Sequence, residues 1–163
     1  MANKFFPVSI DLNNKNILVI GAGKIALRKV ETLMSYNCNI LIITKDILEE
    51  KFLELEKNNK IKILKNQEFE EKFLKKIFLV IAATDNEVLN KNISQLCMSK
   101  NILVNNVTSK DNMNVRFASI YEKDDIQIAI SASGNPKKAI EIKNKIKNIF
   151  EKWEKLGCCR LNK

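Results

Sequence analysis

The sequence predicts an α/β fold: a parallel sheet with helices on both faces, followed by a small β-hairpin and a long helix. Three observations carry that prediction. Short, wholly apolar runs alternate with stretches of helical spacing. The first apolar run stops at two glycines one residue apart. After about residue 110 the alternation gives way to two strand-like segments and one long amphipathic stretch.

The first strand is Ile17-Leu18-Val19-Ile20, apolar throughout as a central parallel strand should be. It runs into Gly21-Ala22-Gly23-Lys24-Ile25-Ala26, a G-x-G-x-x-A between strand and helix, the layout of a dinucleotide-binding turn. Gly21 lets the chain turn off the strand, Gly23 leaves room for a pyrophosphate, and Ala26 lets the helix lie close. Amides freed at the helix start, through Lys24 and Ile25, then point at phosphate, and the helix dipole favours its charge. The simpler alternative is a tight turn that binds nothing. The flanking strand and helix and the N-terminal position favour binding.

Residues 24–36 show helical spacing at Ile25, Ala26, Val30, Leu33 and Met34. Residues 40–43 form a second buried strand. Residues 46–58 predict a helix with Ile47, Leu48, Phe52 and Leu55 on one face, 61–64 a short edge strand, and 68–76 a charged short helix. Residues 78–83 are a strongly apolar strand. Residues 86–99 predict a helix with Val88, Leu89, Ile93, Leu96 and Cys97 inward, and 102–105 the fifth strand. Right-handed crossovers give the order 3-2-1-4-5, a Rossmann-like sheet. Residues 116–121 and 126–131 read as strands around the turn 122–125. Asn135 is placed to cap a helix that starts at Pro136 and runs to about Leu156. Ala139, Ile142, Ile146, Ile149 and Phe150 line one face of it. The division expected is a nucleotide-binding domain over 1–110 and a module over 111–163. That module has too little core to stand alone and is expected to pack on the first domain or on a second subunit.

Composition narrows the function. With 45% hydrophobic and 29% charged residues the chain reads as soluble and globular. No apolar stretch reaches the roughly 18–20 residues that span a bilayer, and the first residues lack a signal-peptide core, so a cytoplasmic protein is expected. The net charge of +9 fits either a lysine-coated surface or an anionic partner. Aromatics are only 7% and no Arg-rich helix appears, so a nucleic-acid partner is not expected. Cys38, Cys97, Cys158 and Cys159 lack C-x-x-C spacing, which argues against a metal site or a disulfide framework. Cys38 and Cys97 read as buried small hydrophobes. The chain has no histidine, so acid–base chemistry falls to Asp, Glu, Lys, Tyr, Cys or water.

Five local signals then coincide in order: Phe5-Phe6-Pro7-Val8-Ser9-Ile10-Asp11-Leu12; the glycine turn running into Ala26-Leu27-Arg28-Lys29; Ala82-Ala83-Thr84-Asp85-Asn86 with Leu89-Asn90; Val104-Asn105-Asn106-Val107; and Ile130-Ser131-Ala132-Ser133-Gly134. Over about residues 5–150 the chain resembles the precorrin-2 dehydrogenases, the N-terminal part of siroheme synthases. The resemblance implies NAD-dependent oxidation of precorrin-2 to sirohydrochlorin, on the route to siroheme or cobalamin, by a homodimer joined through the hairpin and long helix. A +9 protein suits a polycarboxylate tetrapyrrole. Arg28, Lys29, Arg116, Lys137 and Lys138 are candidates for its carboxylates, and the resemblance adds Asn105, Ser131, Ser133 and Gly134 to the substrate site.

The cofactor candidates are Gly21, Ala22, Gly23, Lys24 and Ile25 on the pyrophosphate, with adenosine across the end of the second strand near Thr44, Lys45 and Asp46. Asp46 on the ribose would indicate NAD, while Lys45 could favour a 2′-phosphate. The resemblance favours NAD. Thr84 and Asp85 should flank the cofactor, and Asp85 is also placed to cap a helix. Where the family commonly carries a carboxylate after Val-Asn-x-Val, this chain has Thr108, whose hydroxyl is no base near neutral pH. Asp111 is the nearby carboxylate, placed to act or to cap a loop. Thr108 and Asp111 are therefore the catalytic candidates. No metal ligand set is expected and chelatase activity is doubtful. A non-catalytic nucleotide- or tetrapyrrole-binding module is the alternative.

Overall fold

A computed structural model describes residues 4–155. They divide into two compact units, one running through Val115 and the other beginning at Arg116.

The first unit is a five-stranded parallel sheet in the order β3-β2-β1-β4-β5, as expected. Its strands are β1 (Asn16–Ile20), β2 (Asn39–Ile43), β3 (Lys62–Leu64), β4 (Leu79–Ala82) and β5 (Leu103–Asn106). Between them lie α1 (Lys24–Leu33), α2 (Lys51–Lys57), a single 3-10 turn (Glu71–Leu74) and α3 (Glu87–Ser99). Because strand side chains alternate between faces, Leu18, Ile20, Ile43, Val80, Ala82 and Val104 share one face. They pack with Ile93 and Cys97 of α3 and with Leu74. Ile17, Val19, Ile42 and Ile81 take the other face and are equally buried. Two covered faces explain why the strands read as unbroken apolar runs.

Three readings are corrected. The helix expected over 46–58 forms only from Lys51. Residues 46–49 are irregular, and the Leu48 amide donates to the Ala22 carbonyl at 3.2 Å, so Leu48 is exposed while Phe52 and Leu55 are buried. The charged helix over 68–76 is reduced to the 3-10 turn, with Leu74 its one buried anchor. On α3 the expected inward Val88 is exposed, and the inner face carries Asn90 and Ser94 between the apolar anchors.

The second unit holds the antiparallel hairpin β6 (Ser119–Lys123) and β7 (Ile126–Ile130), joined by a two-residue turn at Asp124-Asp125, and α4 (Pro136–Lys155). The expected first strand over 116–121 starts later and runs to Lys123, because the tight turn sets the register. The Asn135 side chain accepts from the Lys138 amide at 3.1 Å, the expected cap. Tyr121, Phe150 and Trp153 stack in sequence, with ring centroids 5.5 and 5.6 Å apart.

Asparagine takes over backbone work usually given to glycine, of which the chain has four. Asn14, Asn59, Asn66 and Asn101 all sit at positive φ. After α3 the Ile102 amide bonds Cys97 O and the Asn101 amide bonds Met98 O. After α2 the Lys60 and Asn59 amides bond Leu55 O and Glu56 O in the same way. Both helices thus close in Schellman motifs, with Asn in the left-handed position.

Candidate functional site

The glycine turn sits where β1 ends at the middle of the sheet. The Gly21 amide still bonds Ile43 O at 2.8 Å, continuing the ladder to β2. Gly21 has φ +103°, and a Cβ there would lie 2.4 Å from the Ala83 carbonyl oxygen, so no other residue fits. Gly23 differs: a Cβ on it would meet only the Leu48 side chain, at 3.8 Å. Nothing in the fold itself forbids a side chain at that position.

Gly23 is also the N-cap of α1, and it supplies no capping side chain. No acidic residue occupies the first turn. By contrast, α3 is capped by the Asn86 side chain, which accepts from the Leu89 amide at 2.9 Å, and carries Glu87 in its first turn. The start of α1 therefore presents amides and a positive dipole end with no side-chain acceptor, beside a residue without a side chain. This arrangement fits a diphosphate. The helix itself is anchored by Ala26, Val30 and Leu33, all buried, while Lys24 and Ile25 face outward. Ile25, expected on the apolar face, is exposed because it lies at the turn rather than over the sheet.

At the end of β2, Thr44 is buried and its hydroxyl donates to the Asp46 carbonyl at 2.5 Å, which fixes the start of the 46–49 loop. Lys45 pairs with Glu68 at 2.7 Å. That hydrogen bond and charge, with weaker help from Asp46 and Asp85, hold the Lys45 ammonium above the usual lysine range. Exposed on both sides, the pair adds little to stability. It does change the local field: Lys45 stands among three carboxylates.

At the end of β4 the geometry turns on Asn90. Its Oδ1 accepts from the Thr84 amide (3.2 Å) and hydroxyl (2.7 Å), and its Nδ2 donates to the Thr84 carbonyl (2.9 Å) and to the Thr108 hydroxyl (3.3 Å). One fully buried carboxamide on α3 thus joins the loops after β4 and β5. The Thr108 hydroxyl in turn donates to Asn106 Oδ1 at 2.8 Å. Asp85 is exposed and does not cap α3; Asn86 does, which corrects that reading.

The model of the family described as "Putative NAD(P)-binding" matches residues 8–119. The chain belongs to this NAD(P)-binding family. It is 38% identical over 130 residues to a siroheme synthase of Mannheimia succiniciproducens, covering 80% of this chain and 27% of that protein. It is 33% identical over 148 residues to a siroheme synthase of Pseudoalteromonas translucida, covering 90% and 31%. The chain thus spans under a third of the length of these curated relatives. Among solved structures, "SirC, precorrin-2 dehydrogenase" superposes with a TM-score of 0.76 at 21% identity, over 88% of this chain and 70% of that one, a likeness of fold.

The remaining candidates of this NAD(P)-binding chain divide by unit. In the first, Asn105 is buried on β5, and its Nδ2 donates to Val115 O (3.0 Å) and Met113 Sδ (3.5 Å), tying the following segment to the strand. Asp111 is exposed. Its amide is capped by the Ser109 hydroxyl at 3.2 Å and its carbonyl accepts from Lys4, so Ser109, not Asp111, organises that loop. Arg28 is exposed, and burial, aided by Arg28, pushes the Lys29 ammonium down to about 8. In the second unit Ser133 and Gly134 both have positive φ in a turn closed by the Asn135 amide on Ala132 O. A Cβ on Gly134 would lie 3.3 Å from the Arg116 guanidinium, so Arg116 rests against this turn. Ser131, Lys137 and Lys138 are exposed. Cys38 is half-buried rather than buried; Cys97 is fully buried, and its thiol is raised to about 11. Cys158 and Cys159 lie outside the described residues. Among the described residues no three acidic, cysteine or histidine groups cluster as metal ligands, and no helix is long and apolar enough to cross a membrane.

Sequence reasoning missed Asn90, Asn106 and Glu68. Asn90 had a signal: it is a polar residue at an inward helical position, three before Ile93. Glu68 had none, since its partner Lys45 is brought close only by the pairing of β2 with β3.

Proposed function

We propose that this chain is the NAD-dependent dehydrogenase part of a tetrapyrrole-forming protein, oxidising precorrin-2 to sirohydrochlorin in the cytoplasm as a homodimer. The observation that carries the reading is the uncapped start of α1 beside an unobstructed Gly23. The ordered family motifs and the siroheme synthase relatives support the substrate.

In this reading the amides from Ala22 to Ile25 hold the diphosphate, and Thr84, locked by Asn90, borders the nicotinamide side. The bound nicotinamide supplies the hydride acceptor. Asp46, Asp85 and Glu68 around Lys45 disfavour a 2′-phosphate, so NAD is the dinucleotide. Thr108 donates its proton to Asn106 Oδ1 and serves as a hydrogen-bonded loop anchor, not a base. With Thr108 engaged in this way and not serving as a base, the proton released with the hydride would pass to water. Arg116, which rests against the Ser133-Gly134 turn, is the candidate carboxylate contact of the second unit. Metal insertion is expected to be weak or absent.

Mixing the protein with precorrin-2 and NAD should yield reduced nicotinamide and sirohydrochlorin in equal amounts, with NADP at least about tenfold poorer. No acceleration over spontaneous oxidation defeats the reading. The engagement of Thr108 favours a second reading, a binding module without turnover. If that module is correct, Thr108→Asp creates activity that the wild-type chain lacks; full wild-type activity removes it.

A further inference from the structure

Among the described residues, one buried side-chain nitrogen or oxygen finds no hydrogen-bond partner: Nδ2 of Asn106. Asn106 is 1% exposed. It ends β5 in register with Ala82, on the sheet face that α3 covers. The orientation of its carboxamide is fixed, because Oδ1 accepts from both the amide and the hydroxyl of Thr108, at 2.9 and 2.8 Å. Reversing it would set an NH2 group against the Thr108 N–H. A buried donor left without an acceptor is costly, so something outside the fold is needed to satisfy it.

Asn106 lines a recess of about 240 Å³ between the first turns of α3, at Glu87, Val88 and Lys91, and the loop at Thr108, Ser109 and Asn112. Ser109 Oγ already accepts from the Asp111 and Asn112 amides at 3.2 and 3.0 Å, which leaves its own proton to donate. Lys91 brings an ammonium to the recess and Glu87 a carboxylate. The first turn of α3 is already served by Asn86 and Glu87, so the donors open to a ligand are Asn106 Nδ2, Ser109 Oγ and the Lys91 ammonium. Donors therefore dominate the recess, and the group that satisfies them is an acceptor with negative charge. The volume suits one side arm and not a ring system.

We propose that this recess is a carboxylate subsite in which one arm of the tetrapyrrole accepts a hydrogen bond from Asn106 Nδ2. Ser109 is the second donor and Lys91 the charge. The identity of the arm rests on the function proposed above; the carboxylate chemistry does not.

The test follows the Asn106 side-chain NH2 signal in the nitrogen-15-labelled chain, assigned by its loss in Asn106→Leu. The chain is titrated separately with propionate, sirohydrochlorin and NAD. A saturable shift of that signal with propionate and with sirohydrochlorin is expected. Asn106→Asp keeps the acceptor for Thr108 and removes the donor, so it should weaken sirohydrochlorin binding at least about tenfold with NAD affinity unchanged. A signal unmoved by both carboxylates, or moved by NAD alone, overturns the subsite. If sirohydrochlorin binds the chain without moving it, the subsite falls and the dehydrogenase reading stands. If propionate moves it and sirohydrochlorin binds nowhere, the carboxylate subsite stands and the dehydrogenase reading falls.

Discussion

The two glycines of the turn are alike in type but not in what requires them, and substitution separates them. At Gly21 an alanine is strained by φ +103° and its Cβ would strike the Ala83 carbonyl oxygen. Gly21→Ala should therefore lower stability by about 2 kcal/mol or more, read by thermal unfolding. Nothing in the fold constrains Gly23 in that way: a Cβ there meets only the Leu48 side chain at 3.8 Å. A second residue-scale expectation concerns Lys29. Burial holds its ammonium down to about 8 in the folded chain, against the ordinary lysine value of 10.5. Between those two pH values the unfolded chain binds more protons than the folded one, so stability rises with pH across that window. Lys29→Met should abolish the rise and be more stable at neutral pH, on the order of 1 kcal/mol. A pH profile identical to wild type would show that the lysine does not carry it.

The helix ends show how an asparagine-rich chain closes its elements with few glycines. At Asn101 the left-handed conformation is held by the Schellman bonds to Cys97 and Met98. Asn101→Gly should stabilise by up to about 1 kcal/mol, whereas Asn101→Val should cost about 1–2 kcal/mol; denaturant midpoints that fail to split in this way would remove the explanation. The same scale shows what the sequence could reveal. The inner strands β1 and β4 were legible because they are buried on both faces, and burial leaves an unbroken apolar run such as Leu79-Val80-Ile81-Ala82, whereas β3 is a short edge strand with Lys62 exposed and Ile63 buried. The segment 46–50 was misread because Ile47 and Leu48 have helical spacing with Phe52 and Leu55. What decides there is a tertiary bond from the Leu48 amide to Ala22, which periodicity does not record. The turn at Glu71–Leu74 is too short to show a period, and Leu74 alone anchors it. At the site, the glycine motif was readable in full, but the Asn90 bridge and the Lys45–Glu68 pair depend on which strands lie side by side.

For the whole molecule, the second unit consists of two strands and one helix, and α4 leaves Ile140, Ile149 and Trp153 about half exposed. A two-stranded hairpin with a single helix has little apolar surface to bury internally. Light scattering should therefore give twice the chain mass, and Ile149→Lys should shift it toward one chain; a wild-type mass of a single chain contradicts the homodimer. The claim beneath the functional reading is that the start of α1 grips a diphosphate through backbone amides. Calorimetry of NAD on the wild-type chain and on Gly23→Ala tests it most directly. The expected result is binding by the wild type and an affinity loss of about tenfold or more in Gly23→Ala. The variant's stability should change by no more than about 1 kcal/mol, because its Cβ meets only a distant Leu48 methyl. Equal affinity in the two proteins, or no binding by either, would contradict it.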